Sequence, residues 1–398
     1  MTSAASEQRI LDRDLYAADP HPFFTWLRAN QPVYRDPTGT WTLTKHEDIR
    51  AAERQPQLFS NAKGSRPNVP PQPSMIDSDD PWHAAQRRLV AQGFSHRQMQ
   101  LYEAHVRSVA RRLVDDVIES GSCDVVTAFA KPLPMTLIGE MLGASPDDYA
   151  QLQHWSDQMI AGADDPEYVT DEVVGAAFAY YAYIAEVIAR RRLEPGDDLV
   201  STLLHASTDS AIDGDSLDDD HVVGNSLLLL VGGNETTRSV IAGGIHALLT
   251  EPDQLAVAIA TAQTGSVAPT VVEECLRWVT PINNMNRVTT GDVEVRGVTI
   301  PAGSQVLMSY ISANRDEEVF VDPFRFDVAR DPNPHLAFGF GPHLCLGAQL
   351  ARLELRVIFT ELLTRLHDLR LADPGFEPVY SHSSFVRGIQ ALPVTFTR

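Results

Sequence analysis

The sequence predicts a mainly α (α+β) protein, and three observations carry that expectation. Apolar residues recur at helical spacing through most of the 398 residues, strand signals are short and lie near both ends, and no alternating βαβ rhythm occurs. With 43% apolar and 21% charged residues the composition is that of an ordinary globular chain, long enough to bury a large core and a bulky ligand. At about 150 residues per domain the length would allow two or three units. No repeat, charge block or low-complexity tract divides it, so residues 1–398 are read as one domain.

The elements follow in chain order. Residues 40–44, Thr-Trp-Thr-Leu-Thr, are a short strand candidate. Residues 61–81 are dense in Pro, Ser, Asn and Asp and read as a long surface loop, either a linker or a lid. Tyr102, Val106, Val109, Leu113 and Val117 mark one face of a helix that Gly121 would cap. Ser145-Pro146-Asp147-Asp148 is a helix start, with an N-cap serine, proline at the first helical position and acids in the first turn. Residues 176–192 form an alanine-rich helix ending in a basic cluster that suits a C-terminal dipole. Ser216-Leu217-Asp218-Asp219 reads as another N-terminus, with an acid at the capping-box position and apolar residues continuing to Leu249. Val293, Val295, Val298 and Ile300 are strand-like, and lead through Pro301-Ala302-Gly303 into Val306-Leu307-Met308.

Charge and cysteine usage exclude several classes. Acidic residues outnumber basic ones 53 to 32, a net charge of −21, which argues against nonspecific nucleic-acid binding and a polybasic membrane anchor. Three scattered cysteines, Cys123, Cys275 and Cys345, are too few for a disulfide framework or a four-ligand zinc site. A reducing, cytoplasmic compartment is the expectation. The first twenty residues lack an apolar signal core, and the longest aliphatic run, residues 227–231, is too short to span a bilayer.

Residues 338–347 read FGFGPHLCLG, followed by the helical AQLARLEL. Three glycines in ten residues allow close backbone approach, and a cysteine just before a helix N-terminus has its thiolate favoured by the dipole. A lone Gly-x-His-x-Cys is equally served by a glycine-rich turn with an incidental buried cysteine. The full pattern resembles the haem-binding signature of the cytochrome P450 family, with Phe338, Gly339, Gly341, His343, Cys345 and Gly347 on its expected positions. The resemblance implies Cys345 as the axial thiolate ligand of the iron in haem b. It also implies that Phe338 shields the sulfur and Gly347 lets the next helix lie against the porphyrin.

Gly232-Gly233-Asn234-Glu235-Thr236-Thr237 stands in the middle of the long apolar helix. Two helical glycines cost about 1 kcal/mol each relative to alanine, so something must compensate. Close helix–helix packing is one explanation, and a widened groove for a small ligand is the other. The segment resembles the family's oxygen-binding motif. That implies Thr236 hydrogen-bonds the bound oxygen and Glu235 connects it to a proton supply. The Asn-Glu-Thr match to a glycosylation sequon is incidental.

Glu274 and Arg277 in VVEECLRW share a helix face, and crowding by Val271, Val272, Leu276 and Trp278 suggests partial burial. The pair resembles the family's Glu-x-x-Arg motif, and Arg325 in DPFRFD matches the arginine completing its triad; all three are expected to hold the cysteine loop. His83 and Arg87, one helical turn apart, can point at a single carboxylate. With Arg287 and His343 they match the family's haem propionate contacts.

These matches cover essentially the whole chain and depart nowhere in the catalytic core. The resemblance implies the triangular helical fold of that family as a single catalytic domain. It implies a monooxygenase inserting one atom of O2 into a C–H bond. Electrons would come from a ferredoxin and its reductase, since no flavin or nicotinamide domain is present. A basic patch of Arg97, Arg107, Arg111, Arg112 and Arg352 would receive the ferredoxin. The protein would be a monomer without a nucleic-acid partner or a membrane span. The family analogy places Met75, Ile76, Leu229, Val231, Gly232, Ile282, Met285, Phe385 and Val386 around an apolar substrate cavity with no cationic clamp.

At finer grain, ERQPQLFSNAKGSRPNVPPQPSMID, RWVTPINNMNRVTT and PNPHLAFGFG are similar to the actinobacterial steroid hydroxylases, implying terminal oxidation of the cholesterol or cholest-4-en-3-one side chain. Branched fatty lipids and polyketide or terpene products are the alternatives. A non-catalytic haem-thiolate sensor and a peroxide-driven enzyme are disfavoured by the Glu235–Thr236 pair. No nucleophile elbow or phosphate-binding loop supports a hydrolase or nucleotide-binding reading.

Overall fold

The computed structural model describes residues 8–162, 166–205 and 217–398. Helices dominate around one long central helix, Asp219–Thr250, which extends about 48 Å at 1.5 Å per residue. It packs against Pro132–Met141, Pro269–Val279 and Ala348–Arg365, the other helices of the main core. The N-cap is Asp218, whose side chain accepts from the His221 N–H; Ser216 of the expected start lies outside the described residues.

The remaining helix signals land within a turn of their expected places. His96–Asp115 is capped by Ser95 and buries Met99, Val106, Val109, Ala110 and Val114. Val117 falls just past its end, and Gly121 (φ 67°) caps the short 3-10 turn Ile118–Ser120 that follows. Ser145 accepts from Asp147 N and starts the 3-10 turn Pro146–Asp148, which runs directly into Tyr149–Ala161. The alanine-rich helix spans Asp171–Leu193, and among the described residues it alone is long and apolar enough to cross a membrane.

Three small sheets flank the helices. The largest runs in the order Val33–Arg35, Trp41–Leu43, Gln305–Ser309, Asn284–Thr289, Phe59–Ser60. Trp41 pairs with Val306 in parallel and Asn284 with Ser309 antiparallel, so segments distant in sequence form one sheet, whose strand Asn284–Thr289 places Met285 and Arg287 on the cavity described below. Val293–Val295 and Val298–Ile300 form a hairpin whose two turn residues, Arg296 (φ 52°) and Gly297 (φ 76°), are left-handed, as a tight hairpin requires. Ser122–Asp124, Pro393–Thr397 and His367–Leu371 make the third sheet.

One expectation is refined and one corrected. The stretch 61–81 is a loop of mixed exposure: Ala62, Lys63, Asn68, Pro70 and Pro71 are exposed, whereas Asn61, Ser65, Ser74, Met75 and Asp77 are buried and Met75–Asp77 is a 3-10 turn. Its polar composition serves internal hydrogen bonds, such as Asn61 Nδ2 to the Ile76 carbonyl at 2.9 Å. The triad arginine is Arg330, not Arg325. Arg330 Nε lies 3.2 Å from a Glu274 oxygen, whereas the Arg325 side chain is exposed and only its carbonyl accepts, from Arg277.

Candidate active site

The cysteine loop is pressed into place by glycine. Gly339 (φ 66°) and Gly341 (φ 72°) are left-handed, and a Cβ on Gly341 would run into the Glu53 carbonyl oxygen. The Cys345 N–H donates to the Phe338 carbonyl at 2.9 Å, and Gly347 is the N-cap of Ala348–Arg365. Cys345 thus stands at a helix N-terminus with its side chain open to an internal cavity. Enclosure pushes its thiol up, while the Gly347 backbone N–H, Arg87 and Arg352 pull it back.

Across the cavity the long helix presents Gly232, Glu235 and Thr236. The two glycines have different jobs. A Cβ on Gly233 would collide with the Ile138 side chain of Pro132–Met141, so that glycine permits close helix packing. A Cβ on Gly232 would meet nothing within 4 Å, because this position faces the cavity. Gly232→Ala is therefore expected to raise the thermal midpoint, by the helix-propensity gain of up to about 1 kcal/mol. Gly233→Ala is expected to lower it, since overpacking costs about 1–3 kcal/mol. Calorimetry of the two substrate-free holoproteins checks the contrast, and shifts of equal sign would remove it.

Thr236 Oγ1 donates to the Gly232 carbonyl at 2.7 Å. Glu235 is buried and paired with Arg238. Arg238 reaches Asp157 at 2.6 Å, and Asp157 accepts from Lys131 at 3.0 Å, close to the surface. Burial raises Glu235 to about 8; Arg238 opposes the shift and Asp157 reinforces it. Asp157 is held down, with Arg238 the leading lowering influence against desolvation, so the proton of the pair resides on Glu235. Arg238 was missed in the sequence, although its i,i+3 spacing from Glu235 is a signal that could have found it.

His83, Arg87, Arg287 and His343 come together on one rim, as expected. The His83 and His343 rings lie 4.0 Å apart. Burial lowers both, and Arg287, His83 and Arg87 add to this at His343, bringing it to about 2, so it is neutral at physiological pH. His83 Nδ1 lies 3.1 Å from Asp80, and its Nε2 is buried without a partner. Arg87 donates to the Leu344 carbonyl at 2.6 Å. Arg287 is held by Glu53 at 3.1 Å, and Tyr310 donates to the same Glu53 oxygen at 2.5 Å. Glu53 and Tyr310 carried no signal in the sequence, because no motif links them to Arg287. Glu354, on the cysteine's own helix, was also missed; it lines the cavity and burial pushes it well above the carboxylate range.

These residues fit an iron porphyrin. One soft sulfur donor faces the cavity, a Cβ on Gly347 would meet nothing within 4 Å, and an orphaned imidazole nitrogen and two guanidiniums line one edge. Those edge groups suit two carboxylates. The apolar residues Met75, Ile76, Leu229, Val231, Ile282, Met285, Phe385 and Val386 all line the same cavity, with Phe94, Met159 and Ile160 in addition.

The cytochrome P450 family model matches residues 263–388. The chain is 43% identical to a steroid C26-monooxygenase of Mycobacterium tuberculosis, over 99% of this chain and 98% of that protein. It is 38% identical to a methyl-branched lipid omega-hydroxylase of the same species, over 94% of this chain and 88% of the other. A Mycobacterium marinum cytochrome P450 solved in complex with pseudoionone superposes with a TM-score of 0.88 at 35% identity, covering 98% of this chain and 99% of that one.

Proposed function

Since this chain belongs to the cytochrome P450 family of haem-dependent monooxygenases, we propose that it hydroxylates the terminal carbon of a steroid side chain. The reaction is R–H + O2 + 2 electrons + 2 protons giving R–OH + H2O. When bound, the haem supplies O2 binding and activation. Cys345 would hold its iron, His83, Arg87, Arg287 and His343 would hold its carboxylates, and Gly347 would leave room for its ring.

The chain's own residues supply protons and position. Lys131 and Arg238 pair with Asp157, which shares a hydrogen bond with Glu235, the residue that precedes Thr236 on the same helix. Glu235 keeps its proton at neutral pH and can donate it, while Thr236 Oγ1 holds and passes a proton at the cavity wall. Glu274, Arg277 and Arg330 brace the loop that carries Cys345.

The observation that carries the substrate assignment is the apolar wall beside Thr236. Phe385 and Val386 pack on Ile160, Ile282 and Met285, and Ile282 and Val386 form a β-bridge that closes the wall. An apolar wall suits a hydrocarbon side chain, and a terminal hydroxylase must present the chain end first because inner C–H bonds are weaker. Similarity to the steroid C26-monooxygenase supports the same choice.

Electrons come from a separate ferredoxin. Of the five arginines expected to receive it, Arg107 and Arg111 are paired with Glu361 and Arg352 with Glu273. The exposed cations Arg97 and Arg112 on His96–Asp115 remain the better contacts.

Titration of the ferric holoprotein with cholest-4-en-3-one is expected to shift it from low to high spin, and turnover to yield the terminal alcohol. No shift, with the thiolate carbon monoxide spectrum intact, would remove the steroid and leave methyl-branched lipids as the substrate class.

A further inference from the structure

The substrate cavity has a polar end that neither the haem site nor the proton relay uses. Arg66, Gln72, Ser74 and Asp77 line it there. Asp77 pins the backbone around Arg66, accepting from Ser65 N at 2.7 Å and from Gln72 N at 2.8 Å. Asn286 holds the same loop from the sheet, donating its N–H to the Ser65 carbonyl at 2.8 Å and Nδ2 to the Gly64 carbonyl at 2.9 Å. Asp77 and Tyr181 are the charged and titratable groups that influence the Arg66 guanidinium, against a desolvation that lowers it. Tyr181 in turn lies 3.5 Å from Gln72 Oε1.

The Arg66 guanidinium itself makes no hydrogen bond and no ion pair with any described residue. A half-buried guanidinium that lines an apolar cavity, with no acceptor among the described residues, favours a ligand that brings one. Position adds the second argument. The loop meets the long helix where Gly224 packs on the Pro73 carbonyl and Asn225 Oδ1 accepts Met75 N–H at 3.0 Å. Gly224 lies twelve residues before Thr236, roughly 18 Å along the helix.

We propose that Arg66, with Gln72 beside it, binds a ketone or carboxylate oxygen at the substrate end opposite the carbon to be hydroxylated. The orientation rests on the terminal-hydroxylase reading above. A 3-ketosteroid has this chemistry, with its ring ketone at one end and the side-chain methyls at the other. An acidic branched lipid has it too. A guanidinium bound to such an oxygen points the opposite end at Thr236.

The test compares ligands with and without the oxygen, in the ferric holoprotein, by spin-state titration and equilibrium dialysis. Cholest-4-en-3-one is expected to bind the wild type about tenfold or more tighter than cholestane, the order expected of a charge-assisted hydrogen bond. Arg66→Met should bring the ketone to within about twofold of the hydrocarbon. It should leave cholestane affinity and the carbon monoxide spectrum unchanged. Equal weakening of both ligands, or no change in either, overturns the proposal. An iso-branched fatty acid and its matching alkane form a second pair. If only that pair shows the Arg66-dependent difference, the steroid reading fails and the subsite stands; if the wild type discriminates in neither pair, the subsite falls.

Discussion

Glu235→Gln is expected to cut hydroxylated product per O2 consumed by about a hundredfold, the lower part of the range for general acid catalysis. O2 uptake should continue, with hydrogen peroxide accumulating in its place. Glutamine preserves the shape of the side chain and can still bond Arg238, but it carries no acidic proton for Thr236. The pH profile gives an independent readout. Burial raises Glu235 to about 8, so the wild type carries the proton at neutral pH and loses it as pH rises through that value. Coupling of O2 consumption to product should therefore fall above about pH 8 in the wild type and stay flat in Glu235→Gln. Wild-type coupling in the variant at pH 7 would remove Glu235 from the relay, leaving Thr236 to be supplied by another route.

Arg277→Met is expected to destabilise the protein by about 3–5 kcal/mol, the cost of leaving one member of a buried ion pair alone. Arg277 is fully buried and donates to both Glu274 oxygens at 2.8 and 2.7 Å. It also donates to the carbonyls of Asn314 and Pro323, both at 2.9 Å, and of Arg325 at 3.1 Å. Its loss strands the Pro323 carbonyl, leaves those of Asn314 and Arg325 to Arg315 and Arg330, and leaves a carboxylate that Arg330, Asn333 and the Asp327 N–H cannot fully satisfy. Against a typical total of about 5–15 kcal/mol the variant sits near the folding threshold, and haem retention should fall with it. Arg325→Ala is the control, because that side chain is exposed: a change within about 0.5 kcal/mol is expected. Urea unfolding of both holoproteins decides the matter. Equal losses would restore Arg325 to the triad and displace Arg330.

Side-chain accessibility explains why the motif match misplaced that third arginine. Arg325 and Arg330 lie five residues apart in the same irregular segment, and both are plausible partners on paper. The chain turns so that Phe326 and Val328 are buried, Arg325 points outward, and Arg330 alone reaches Glu274. The loop 61–81 was legible as a loop, but not which of its residues turn inward. Its buried polar residues bond to one another and to the backbone, which lets a Pro- and Ser-rich stretch line a cavity on one side while the other stays exposed.

What the sequence by itself determined was whatever depends on near neighbours. Helical spacing, the serine caps at Ser95 and Ser145, the left-handed Arg296–Gly297 turn and the cysteine loop act within a few residues. Their patterns are therefore written locally. The Glu235–Thr236 pair and the four rim residues His83, Arg87, Arg287 and His343 were legible for the same reason, as short motifs with a chemical meaning. Tertiary structure alone decided which of two adjacent glycines faces the cavity, which arginine completes the triad, and that Glu53 and Tyr310 stand behind Arg287. It also decided that Arg66 lines an apolar cavity without a hydrogen-bond or ion-pair partner among the described residues. Each of these turns on a side chain from another part of the chain, and burial and pairing at that distance are set by packing, not by local spacing.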